Sequence, residues 1–157
     1  MKRVLSIACL LFCVSLTLSL SAQTPQTTPP ATAGAPTAGM KITTEAEFST
    51  HMKEIQQQNG MLNKALKGGM NDEATKAAAR LEVLFKNIHG YWSAKKVEDA
   101  TTAAQTAVTS LQEVQKAIAA NDMTAAQTAR ATFAGTCKTC HSAHREEIPG
   151  GGGYRIK

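Results

Sequence analysis

Cys137, Lys138, Thr139, Cys140 and His141 follow one another near the C-terminal end of this 157-residue chain, in the order C-x-x-C-H. Two thiols at that spacing with an imidazole directly after them form the covalent attachment signature of a c-type haem. The sulfurs become thioethers to the porphyrin vinyl groups, and the histidine binds the iron as proximal ligand. On a helix, positions i, i+3 and i+4 project from one face, so little more than one turn holds the porphyrin edge and its metal together. Two rival chemistries use the same residue types. A redox C-x-x-C belongs at the start of a helix that follows a strand, and no strand pattern precedes this one. Zinc needs a second ligand pair, and His144 beside His141 gives only a lopsided cluster.

The compartment fits the first chemistry. Met1-Lys2-Arg3 precedes an apolar run from Val4 to about Leu20, closed by Ser21-Ala22. A basic start, an apolar stretch and small residues at its end predict a secretory signal peptide over 1–22, cleaved after Ala22. The run is short for a membrane span and is broken by Ser6, Ser15, Thr17 and Ser19, so no stable span is expected after cleavage. Cleavage takes Cys9 and Cys13 away and leaves Cys137 and Cys140 alone. A periplasmic location follows, where a c-type haem is compatible with export.

Residues 23–41 are rich in Pro, Thr and Ala without periodicity, with Pro25, Pro29, Pro30 and Pro36 among them. They read as a disordered linker. Residues 42–148 read as one helical domain, and the Gly-rich residues 149–157 as a disordered tail. A first helix is expected from about Thr44, with Glu47 completing a capping box, and with Phe48, Met52, Ile55, Asn59, Leu62 and Leu66 on its apolar stripe. It ends at Gly68-Gly69. Asn71 is expected to cap a second helix, whose apolar face runs from Ala74 through Leu81, Leu84 and Ile88 to Trp92. A third spans about Lys96 to Ala120. Asn121-Asp122 then turns the chain into a fourth, which carries Phe133, Cys137 and Cys140 and ends before Pro149. Four amphipathic helices with short connections predict an all-α, antiparallel four-helix bundle. Its core is rich in Ala and poor in large side chains, so a flat apolar cofactor would supply missing bulk.

With that helix order, the stretch Cys137-Lys138-Thr139-Cys140-His141-Ser142-Ala143-His144-Arg145 resembles the class II, c′-like cytochromes c, which carry C-x-x-C-H near the end of their last helix. The likeness covers roughly residues 43–147. It implies one covalent haem c near the C-terminal end of the last helix, with His141 as proximal ligand. It also implies that the first helix crosses the opposite haem face, where Met52 takes the distal position, either as a ligating thioether or as an apolar lid. His51, one residue off the stripe, is expected in solvent. Arg145, one turn beyond His141, matches the family's basic residue on the proximal side, placed to hydrogen-bond a propionate or bias the imidazole. Phe133, one turn before Cys137, is expected against the haem, and Trp92 at the end of the bundle as its plug.

The formal net charge of +5 falls to about +3 when Lys2 and Arg3 leave with the signal, and the lysines are scattered. That balance is mild and no basic run is interleaved with aromatics, so no nucleic-acid partner is expected. Not an enzyme but an electron carrier that docks transiently with redox partner proteins is the leading expectation. Closed His141/Met52 coordination would suit it, because little reorganises on electron transfer. Binding or sensing of NO or CO at a five-coordinate haem is the alternative, with Met52 as a lid. The family resemblance also admits a homodimer.

Overall fold

The computed structural model describes residues 41–157. Residues 1–40, which hold the expected signal peptide and all but the last residue of the expected linker, lie outside the described residues. Four helices follow: α1 (Glu45–Gly68), α2 (Asn71–Lys95), α3 (Glu98–Ala119) and α4 (Met123–His144). Among the described residues, no helix is long and apolar enough to cross a membrane.

Local chemistry sets most of the boundaries. Thr44 Oγ1 accepts from the Glu47 amide at 3.2 Å, and Glu47 Oε2 accepts from the Thr44 amide at 3.0 Å. This reciprocal pair is the capping box expected at the start of α1. The same carboxylate takes both the amide and the hydroxyl of Thr43 at 2.8 Å. Gly69, with φ of 66°, closes α1 in the left-handed conformation that costs glycine nothing. Asp122 caps α4 by accepting from the Ala125 amide at 2.9 Å. The start of α2 differs from expectation. Met70 holds the cap position and Asn71 is already helical; its side-chain Nδ2 instead donates to Asn121 Oδ1 at 3.4 Å. That contact joins the α1–α2 turn to the α3–α4 turn at one end of the molecule. The third helix starts two residues later than expected: Lys96 caps the end of α2 in the left-handed region, Val97 is the extended cap residue before α3, and α3 begins at Glu98.

The result is an antiparallel bundle in which α1 packs on α2, α2 on α3 and α3 on α4, while α1 and α4 barely approach. Alanine is the commonest buried residue, and small side chains let α2 and α3 lie close. Leu62, Leu81, Leu84, Ile88, Leu111, Val114 and Phe133 fill the centre with no exposed surface. The open α1–α4 seam changes which faces are covered. On α1 the buried arc is Phe48, His51, Ile55, Leu62, Ala65 and Leu66, whereas Met52 and Asn59 are half-buried. On α4 only Ala126 and Phe133 are buried.

Residues 149–157 are not a loose tail. Arg145–Glu147 (β1) and Tyr154–Ile156 (β2) form an antiparallel hairpin, with Arg145 opposite Ile156 and Glu147 opposite Tyr154. Gly150, Gly151 and Gly153 take φ values of 83°, 79° and 96°, so the Gly run permits the reversal that side-chain-bearing residues resist. Ile156 packs against the core, and the Lys157 amide donates to the His144 carbonyl at 3.1 Å. Apolar contact and backbone pairing thus order a segment whose composition reads as disorder.

Candidate functional site

Cys137, Cys140 and His141 all lie on the last two turns of α4 and all are half-buried. The helix runs unbroken through them, and both cysteines are free thiols. At 100° per residue, Cys137 and His141 fall within about 40° of one another, and Cys140 lies about 60° to the other side of Cys137, so the three share an arc of about 100°. The Cys137 thiol lies 3.6 Å from the Phe133 carbonyl, one turn back. Burial pushes the Cys137 thiol above its ordinary range. Burial does the same for Cys140, helped by the neighbouring Cys137 and by Asp99. Burial, followed by the Arg145 charge, lowers the His141 pKa, which favours the neutral ring with a free nitrogen lone pair.

Two crossings fix the height of α1 against α4. Arg130 Nη2 donates to Asn59 Oδ1 at 3.2 Å across the seam. At the other end Trp92 packs against both Phe48 and His144, with ring centroids 5.6 and 5.1 Å away. Met52 is seven residues from Asn59 and four from Phe48. The same steps along the antiparallel α4, from Arg130 and from His144, reach Cys137 and Cys140. Met52 therefore stands at the height of the two thiols, on the seam side of α1. Side chains lean toward their helix N-terminus, which brings the His141 ring back toward that height as well.

Two other residues, His51 and Arg145, sit differently from expectation. His51 is buried, not solvated: its ring turns toward α2, with Nδ1 2.9 Å from the Glu47 carbonyl and Nε2 3.4 Å from Asn87 Nδ2. Nδ1–H donating to the carbonyl leaves Nε2 to accept from Asn87, and both ring nitrogens are used. Arg145 is not a helical residue one turn past His141. The helix ends at His144, Arg145 opens β1 in an extended conformation, and its guanidinium stacks 4.1 Å above the Tyr154 ring. Phe133 has no exposed surface and meets Phe85 edge to face at 5.2 Å. Trp92 is buried in a cluster with Phe48, Tyr91 and His144 that closes this end of the bundle, and its Nε1–H has no hydrogen-bond partner.

Arg130 is absent from the sequence expectations, although the signal was there. It precedes Cys137 by seven residues, two helical turns, and so shares its face. Surface hollows elsewhere, one beside Glu113, Ala117 and Thr128 and one at Ser93 and Thr101, bring together no comparable chemistry.

The last two turns of α4 thus bring together two free thiols and an imidazole whose pKa burial lowers, all partly covered. The Met52 thioether stands at the same height on the facing helix, across a seam where α1 and α4 barely pack. Comparison with protein-family models, with curated proteins and with solved structures finds no match to this chain.

Proposed function

We propose that this chain is an exported, periplasmic c-type cytochrome of the class II, c′-like kind, which carries single electrons through one covalent haem. The observation that carries the reading is the placement of Cys137, Cys140 and His141 on α4 at the height of Met52, across a seam where α1 and α4 barely pack. Cys137 and Cys140 would hold the porphyrin by thioethers, His141 would ligate the iron, and Met52 would take the distal position. When bound, the haem supplies a ferric/ferrous couple, whose potential His/Met ligation raises.

The chain's own residues perform the rest. The unbroken helix presets both sulfurs and the imidazole, so little ordering entropy is lost on attachment. Burial, followed by the Arg145 charge, favours the neutral form of His141, the form that a metal requires. Phe48, Tyr91 and Trp92 keep water from the end of the core, and Phe133 anchors the attachment turn in it. The partly exposed thiol face leaves an edge at which a redox partner docks.

Visible spectra of the exported protein, oxidised and reduced, with and without Met52→Ala, test the reading. A low-spin spectrum with a weak far-red Met–iron band that the substitution removes is expected. A high-spin spectrum indifferent to Met52 would replace electron transfer with NO or CO binding at an open iron. A protein exported without covalent haem would overturn both.

A further inference from the structure

Arg130 has a guanidinium that its surroundings do not fully satisfy. Nη2 donates to Asn59 at 3.2 Å, but Nε is buried without a hydrogen-bond partner. A buried guanidinium donor left unpaired is costly, and carboxylates are the groups its planar fork fits best. No carboxylate lies on α4 itself, and on α1 Glu54 pairs with Arg80 of α2 at 2.6 Å and Glu47 with Thr43 and Thr44.

Position narrows the partner. Arg130, Cys137 and His141 lie within about 40° of arc on α4, and Asn59 and Met52 within about 20° on α1. Arg130 is two turns, about 10.5 Å, from Cys137 toward the middle of the bundle. Asn59 is the same distance from Met52 in the same direction. The pair thus bridges the seam one porphyrin's width from the thiols. The charge is near enough to Cys137 to favour its thiolate against the burial that opposes it. A c-type porphyrin carries its two propionates on the edge opposite the thioethers.

We propose that Arg130, oriented by Asn59, is the propionate anchor of the cofactor, pairing its Nε–H and an Nη–H with one carboxylate. This rests on the haem reading above. The pairing sets the tilt of the porphyrin in the seam and places a positive charge beside it. Arg145, by contrast, stacks on Tyr154.

The test compares the exported holoprotein with Arg130→Met, Arg130→Lys and Asn59→Leu. Haem stain after denaturing electrophoresis reports the thioethers alone. Midpoint potential reports the nearby charge, and the resonance Raman propionate-bending band reports the hydrogen bond itself. Arg130→Met is expected to lower the midpoint and move the bending band. Arg130→Lys should restore most of the midpoint but not the band, because ammonium keeps the charge and loses the fork. Asn59→Leu should move the band less than Arg130→Met, and it decides the matter if Arg130→Met fails to fold. A stained protein whose band ignores both Arg130→Met and Asn59→Leu overturns the anchor while leaving the cytochrome intact. A wild-type protein without stain overturns the haem reading beneath it.

Discussion

Phe133 on α4 meets Phe85 on α2 edge to face, with ring centroids 5.2 Å apart and planes at 87°. Because Phe133 lies one turn before Cys137, this contact ties the Cys137 turn to α2 across the core. Phe133→Ala should cost about 3–5 kcal/mol, the usual range for emptying a closed aromatic site. Phe133→Leu should cost clearly less. Denaturant melts of the three proteins check this, and equal midpoints would mean that Phe133 is not anchored as described.

Replacing Cys137 and Cys140 together by Ala should abolish covalent haem, seen as loss of the stain that survives denaturing electrophoresis. Each single substitution should leave one thioether and a weakened stain. A full stain in the double variant would move the attachment elsewhere.

Acid should weaken the start of α1. The Thr43 amide and hydroxyl, then the Thr44 amide, hold the Glu47 carboxyl at about 2, down from 4.5. A depressed carboxylate contributes stability that is fully present above its unfolded value and is lost as pH falls through the folded one. Stability should therefore decline between about pH 4.5 and pH 2, and Glu47→Gln should flatten that part of the curve. Thermal melts at a series of pH values read the slope. An unchanged slope in the variant would remove Glu47 from the account.

Ile156 is half-buried against the core at the end of the hairpin. Ile156→Ser should cost about 1 kcal/mol, roughly half of what full burial of an isoleucine gives. It should also loosen the Lys157 amide, which donates to the His144 carbonyl. Hydrogen exchange at Lys157 measures this; protection equal to wild type would show the strand held by pairing alone.

Much of the local structure was legible. The Thr44–Glu47 box, the Gly69 stop and the Asp122 cap each depend on residues three or four apart, so the chain states them directly. So did the four-helix pattern and the spacing that sets two thiols and an imidazole on one side of α4. His51 was misjudged because periodicity gives an apolar stripe but not its neighbours. With α1 leaning on α2 and scarcely on α4, the buried arc turns toward Asn87, taking His51 in and leaving Met52 at its edge. The hairpin was missed because four consecutive glycines look like disorder until strands on either side find each other.

What the sequence determined by itself, then, is the set of helices and the chemistry written on the last of them, since both follow from neighbours within a turn or two. Tertiary structure decided what faces that chemistry: the open α1–α4 seam, the height of Met52 against the thiols, the turning of Arg145 onto Tyr154, and the meeting of Arg130 with Asn59, 71 residues earlier. Those depend on how far apart two helices settle when small side chains let α2 and α3 close up. That spacing is a property of the whole packed core, and no local stretch of residues carries it.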